Sequence, residues 1–289
     1  MTKKVENIFS LYAILYVLAF ELFFRKALCG AFCSILVLFC YLRREFVCFM
    51  SLLSVFLLSI AASFVQRVSG FGFGIFIMMF LPYVMPSYNE AVALSGLLSG
   101  TTALFIVLGN VRHVCWSKLP VISFFNALVS YFIISYMLSL SSESMLRYLG
   151  AALVLVALYF LFSKGRAGAF ITTFWAQCVV GAVSGVMGSM FGMPGPPVVL
   201  YGVNAIPDKK AYMATMQAFW LLFNCFYLAC RAGGGYYSRQ TPIYWLIGLL
   251  GVAVGVLFGA RCYNSFDNKT FKRIVYSVML LSGIIALLK

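Results

Sequence analysis

The chain has 289 residues, 63% of them hydrophobic and only 10% charged, against roughly 25% charged in an ordinary soluble domain, so a soluble globule and a disordered chain are both excluded. Its apolar runs are continuous instead of alternating with period two, which excludes an outer-membrane β-barrel. The net charge of +14 invites a nucleic-acid reading, but Lys and Arg stand singly or in pairs between apolar runs, where they set membrane topology, and no nucleic-acid partner is expected.

At about 20 residues per span the length accommodates roughly ten to twelve crossings and no sizeable extramembrane domain. The expected fold class is therefore all-α, a polytopic helical membrane protein. The nine cysteines lie mostly within apolar runs, where free thiols behave as small hydrophobes. The single histidine, His113, rules out a His-rich metal site, and no cofactor or metal is expected.

Lys3 and Lys4 precede an apolar run at 8–24. Arg25 and Lys26 follow it directly and a second run begins at Ala27, so residues 1–45 read as a retained helix pair and not as a cleaved leader. Glu21 sits inside the first run, near enough to its end to snorkel to the interface. Beyond Glu45 the chain divides into two comparable repeats, 46–163 and 170–289, separated by a polar link at 164–169. Each repeat opens with a glycine-interrupted apolar stretch (49–85 and 170–206), continues with a helix (91–109 and 211–230), and closes with two more (119–140 and 145–163; 242–260 and 270–288). A shift of 120 positions lays Ser69, Phe71 and Gly72 on Ser189, Phe191 and Gly192.

The first interrupted stretch contains Gln66-Arg67-Val68-Ser69-Gly70-Phe71-Gly72-Phe73-Gly74, with Pro82 and Pro86 beyond it. The second contains Gly188-Ser189-Met190-Phe191-Gly192-Met193-Pro194-Gly195-Pro196-Pro197. Glycine disfavours a continuous helix and proline suits the first turn of a new one, so each stretch is expected to unwind near mid-membrane and restart. Unwound backbone inside a bilayer is tolerated only where it is buried in protein or lines a cavity. The N–H groups of a restarted helix favour an anion, and paired interruptions at corresponding positions of two halves point to the binding site of a secondary transporter. The candidate substrate-binding residues are therefore Gln66, Arg67, Ser69, Gly70, Gly72, Gly74, Ser95, Gly188, Ser189, Gly192, Gly195, Thr215 and Gln217. Ser99, Thr102 and Asn224 share the helical faces that follow the breaks. Arg67 reads either as a counter-charge for the anion or as an interfacial topology residue. Gly248, Gly251, Gly255 and Gly259 read as a helix-packing face.

These residues also carry a resemblance. Ser69-Gly70-Phe71-Gly72-Phe73-Gly74 followed by Pro82 is similar to the first-half glycine motif of the TauE/SafE group of sulfite and organosulfur exporters. Phe191-Gly192-Met193-Pro194-Gly195-Pro196-Pro197-Val198-Val199-Leu200-Tyr201 resembles its second-half pattern. The likeness covers about 46–288 and departs at Met193-Pro194, where a small residue and then glycine would be expected; the proline removes one N–H donor. The resemblance implies a transporter of sulfite, sulfonates, sulfoacetate or related organic anions, multi-pass in a bacterial inner membrane.

If each interrupted stretch crosses twice, each repeat has five crossings and the repeats are inverted; if each is re-entrant, the repeats run parallel. The distribution of Lys and Arg favours the inverted arrangement with both termini outside the cytoplasm. An inside-negative potential expels an anion with about 2.3 kcal/mol per charge per 100 mV, and the chain has no Gly-x4-Gly-Lys-Ser/Thr loop for ATP. Glu21, Glu90 and Glu143 are the acidic candidates for a proton relay. A rhomboid-like Gly-x-Ser-Gly is absent, so no enzyme is expected. A passive anion channel and a non-transporting membrane assembly protein remain the alternatives. The expected partners are a small anion and the lipid bilayer, with a homo-oligomer left open.

Overall fold

The computed structural model describes residues 50–68, 70–137, 140–162, 172–262, 280 and 283–288. The N-terminal pair at 1–45, Ser69, the link at 164–169 and most of the predicted 270–288 helix lie outside the described residues. From Ser51 onward the chain forms one compact unit.

The molecule is all-α. Seven helices among the described residues are long and apolar enough to cross a membrane: α1 (Met50–Val68), α4 (Tyr88–Leu108), α5 (Pro120–Met137), α6 (Ser142–Phe162), α7 (Phe174–Phe191), α9 (Lys209–Arg231) and α10 (Thr241–Cys262). Three shorter helices accompany them: α2 (Phe73–Met78), α3 (Leu81–Val84) and α8 (Gly195–Ala205). Two 3-10 turns, Val111–His113 and Trp116–Lys118, join α4 to α5.

Local chemistry sets the helix starts a few residues from where hydropathy alone puts them. Ser87 caps α4 by accepting from Glu90 N at 3.2 Å, Asp208 caps α9 by accepting from Ala211 N at 2.7 Å, and Thr173 caps α7 by accepting from Ala176 N at 3.4 Å. Each side-chain oxygen satisfies an orphan donor of the first turn. Both interruptions are glycine-made. Gly70 and Gly72 have φ of 83° and 100°, and Gly192, which ends α7, has φ of 66°; β-carbons disfavour this left-handed region. Each break follows a helix long enough to cross a membrane, the first after α1 and the second at the end of α7. The restarted helices are the short ones, and Pro82 and Pro196 sit in their first turns, where the missing N–H costs nothing.

Contacts at the glycines give the helix directions. A Cβ on Gly251 would lie 2.5 Å from Phe56 O and one on Gly259 2.8 Å from Arg67 Cβ, so α10 runs alongside α1 in the same direction. Likewise Gly181 approaches Ile122 O (2.7 Å) and Gly185 approaches Asn126 O (2.8 Å), so α5 and α7 run parallel. By contrast α4 and α9 are antiparallel. Asn224 donates to Ser99 Oγ at 3.3 Å in their middles, and Thr215 near the start of α9 accepts from Cys115 N, beyond the end of α4, at 2.9 Å. Without a hydrophobic force between helices in lipid, such small-residue seams are what allow close packing, and the stripe Gly248 to Gly259 forms one against α1.

The acidic relay candidates occupy different settings. Glu143 is exposed and pairs with Arg147 at 2.9 Å one turn along α6. Glu90 is buried and accepts hydrogen bonds from Ser238 Oγ and from Thr241 Oγ1, which ties the start of α4 to the start of α10. Cys115, Cys178, Cys225 and Cys230 are free thiols, with Cys178 buried and Cys225 exposed. No group of His, Cys, Asp and Glu suited to a metal occurs among the described residues.

Candidate functional site

The two interruptions meet. A Cβ on Gly74, in the first turn after the first break, would overlap Gly192 O and lie 3.1 Å from Gly192 C and 3.3 Å from Met193 Cα. Around this meeting point is a small cleft of about 20 Å³, room for one or two water molecules. Gln66, Gly72, Gly74, Ser99, Gly192, Gly195 and Asn224 line it, together with Phe73, Ile75, Met193, Pro194 and Trp220. Ser99 and Asn224 come from the middle stretches of α4 and α9.

One hydrogen-bonded chain fixes the first break to α9. Gln66 Nε2 donates to Gln217 Oε1 at 2.6 Å, and Gln217 Nε2 donates in turn to Gly70 O at 3.1 Å. Trp220 Nε1 gives the same carbonyl a second donor at 3.2 Å. Gln66 and Gln217 are buried, and an unwound carbonyl left bare in such a place would cost about 1–3 kcal/mol. Replacing Gln217 with Leu is therefore expected to destabilise the protein by about 1–3 kcal/mol. A double-mutant cycle with Gln66→Leu would show coupling of at least about 0.5 kcal/mol if the pair acts as one unit.

A second network supports the other break. Ser184 Oγ donates to Pro194 O at 2.7 Å and accepts from Asn126 Nδ2 at 3.2 Å, while Tyr227 OH donates to Asn126 Oδ1 at 3.0 Å. Ser130 Oγ donates to Gly185 O at 3.2 Å. The chain α9–α5–α7 thus holds the turn at Pro194 through buried polar groups. Asn126→Ala removes the acceptor of the Tyr227 hydroxyl's bond and the donor to Ser184 Oγ together, and a loss of about 1–3 kcal/mol is expected in detergent unfolding.

The remaining candidates have other settings. Arg67 packs its stem against Gly259 of α10 and is not among the cleft-lining residues. Gly188 lies under the Tyr227 hydroxyl, where any side chain would collide. Ser189 turns its hydroxyl to Gly185 O at 2.5 Å. Thr215 is occupied by Cys115 N, and Thr102 donates back to Leu98 O at 2.8 Å. Ser95 is buried, its Oγ has no hydrogen-bond partner, and it stands 3.4 Å from the Cβ position of Gly192.

Two features depart from the sequence-based expectation. The restarted helix α8 offers fewer anion donors than its glycines promise, because Pro194, Pro196 and Pro197 carry no N–H and Met193 N bonds to Met187 O at 3.3 Å. Its first-turn donor is Gly195 N–H, and Gly195 lines the cleft together with Gly72 and Gly74 of the first break. Trp220 also lines the cleft; the spacing of Gln217, Trp220 and Asn224 by three and four residues, one helical face, is the signal that would have found it. The cleft-lining residues include no charged side chain.

Seven apolar spans with a small cleft where two glycine turns meet define a multi-pass helical membrane protein with a transporter-like fold. Within that class the chain belongs to the sulfite exporter TauE/SafE family, whose model matches residues 55–286. No curated protein and no solved structure matches the chain.

Proposed function

We infer that this TauE/SafE-family protein is a secondary transporter that exports small sulfur-containing or organic anions of the sulfite, sulfonate and sulfoacetate class, through the cleft where the two interruptions meet. The observation that carries the reading is the contact of Gly74 with Gly192. It brings together two left-handed glycine breaks, the first turn of α2 and the Gly195 N–H around one small space without a carboxylate. First-turn N–H groups lack intrahelical acceptors and carry the positive end of the helix dipole, which suits an oxyanion. Ser99 adds a hydroxyl, and the apolar walls from Phe73, Ile75 and Met193 weaken competition from water.

The packing supports two inverted repeats. α1 lies beside α10 and α7 beside α5, so the opening helix of each half is paired with the fourth element of the other, and the equivalent helices α4 and α9 run antiparallel. A two-fold axis in the membrane plane relates elements in this way; an axis along the membrane normal would make α4 and α9 parallel. Rocking one repeat against the other around the glycine contact would open the cleft to alternate sides.

Thermal unfolding of the purified full chain in detergent tests the binding step. Sulfite or sulfoacetate is expected to raise the midpoint in a saturable manner, since a ligand at 100 times its dissociation constant adds about 2.7 kcal/mol. Chloride at equal ionic strength should leave it unchanged. No shift with any sulfur oxyanion or organic acid would overturn the reading.

A further inference from the structure

The cleft-lining residues carry no charge, yet a cation lies close behind them. Arg231, the last residue of α9, is 0% exposed and is the only basic residue among the fully buried ones described. No ion pair within 4.0 Å involves it among the described residues, where Arg147 with Glu143 is the pair found. Its Nη2 donates to Ser189 O at 2.8 Å and to Gly188 O at 3.4 Å, and its guanidinium lies over the rings of Tyr227 and Tyr236 at 5.4 and 5.7 Å. Those contacts occupy one nitrogen. Nε and Nη1, both buried, have no hydrogen-bond partner.

Nη1 lies against Gly96 of α4. The Cβ position of Gly96 is 3.6 Å from Arg231 Nη1 and 3.4 Å from Asn224 Oδ1, so one glycine of α4 separates the guanidinium from a side chain of the cleft. Asn224 and Arg231 are seven residues apart, two turns along one face of α9. Ser95, beside Gly96 in sequence, carries a buried hydroxyl that also has no hydrogen-bond partner. A helix-capping role at the carbonyl end of α7 accounts for Nη2 but leaves three N–H groups and a unit charge without a counter-ion. A buried charge of this kind is costly unless something pairs it.

We propose that Arg231 is the charge-bearing part of the anion site: a small oxyanion entering past Asn224 and Gly96 takes hydrogen bonds from Nε–H and Nη1–H and supplies the missing counter-charge. The assignment rests on the transport reading above and deepens it. The neutral cleft selects by size and by backbone donors, and Arg231 gives the site its sign. A unit charge within about 10 Å at an effective dielectric near 20 favours an anion by an order of magnitude. Planar, forked N–H donors also match an oxyanion better than a point charge does.

The test measures concentration-dependent efflux of sulfite and of sulfoacetate from proteoliposomes holding the full chain, wild type, Arg231→Gln or Arg231→Lys, each checked for a folded, monodisperse state. Glutamine removes the charge and, ending two bonds short of Nη2, also gives up the Ser189 carbonyl, whereas lysine keeps the charge, so the comparison of the two isolates it. Glutamine is expected to raise KM at least tenfold with kcat changed less than threefold, and lysine to recover most of that loss. A wild-type KM in Arg231→Gln would overturn the assignment and reduce the arginine to a helix cap. Should Arg231→Gln fail to fold, Gly96→Ala, whose added carbon would stand 3.6 Å from Nη1 and 3.4 Å from Asn224 Oδ1 and so narrows the way between them without displacing either, is expected to raise KM in the same way. Unchanged KM there would overturn the assignment. If wild type itself moves neither anion, the transport reading falls with it, a result distinct from an active wild type and an unaffected variant.

Discussion

Gly74→Ala is expected to reduce anion efflux by about two orders of magnitude in protein that remains folded. The added carbon would occupy the position of Gly192 O, and the atoms behind it, Gly192 C and Met193 Cα at 3.1 and 3.3 Å, are backbone. No side chain can swing aside, so the two breaks must separate. Overpacking of a well-packed contact costs about 1–3 kcal/mol, which the seven-span core can absorb, but the cleft is only as wide as this contact allows. Gly192→Ala makes the contrast. Its Cβ would meet nothing closer than Ser95 Oγ at 3.4 Å, and the cost is the left-handed backbone alone, about 1–2 kcal/mol. A smaller loss of flux than in Gly74→Ala is expected, measured as initial efflux rates at matched protein content. Equal, mild effects at both positions would mean that the glycine contact does not shape the path.

The largest loss of stability is expected at Gly255. A Cβ there would collide with Ser63 Oγ and Ile60 O of α1, midway along the seam between α10 and α1. Gly255→Leu must force the two spans apart by more than the width of a methyl group. That removes the close approach at Gly251 and Gly259 as well, since all three glycines lie on one face. A cost of about 3 kcal/mol corresponds to a fall of about 5 °C in the unfolding midpoint of a chain this size. Ala at the same position should fall between wild type and Leu. An unchanged midpoint in Gly255→Leu would show that the seam is not tight in the membrane protein.

Much of this was legible because membranes leave few solutions. Continuous apolar runs mark the spans, and glycine with proline marks the two interruptions, since only those residues allow a left-handed turn at Gly72 and Gly192 and a helix restart at Pro82 or Pro196. A linear chain hides which break touches which helix. That Gly74 abuts Gly192, or that Gln217 holds Gly70 O, depends on pairing segments about 120–150 positions apart. Donor supply at the second break is smaller than its glycines suggest, because prolines that start a helix also remove its N–H groups. Arg231 was hidden for another reason. At the end of an apolar run it looks like any topology-setting arginine, and only the carbonyls of α7 and the rings of Tyr227 and Tyr236 folded over it make it a buried charge. The Tyr236 ring feels that charge in return: burial pushes its phenol above the ordinary value, and Arg231 pulls the other way.

The most direct measurement is efflux of sulfite and sulfoacetate from proteoliposomes under an imposed inside-negative potential. A carrier with its site at the glycine contact gives saturating flux that competing sulfur oxyanions inhibit, that quickens with the potential in line with about 2.3 kcal/mol per charge per 100 mV, and that Gly74→Ala nearly abolishes. Flux that never saturates would contradict a carrier in favour of an open channel, and no flux of either anion at any potential would contradict anion transport itself.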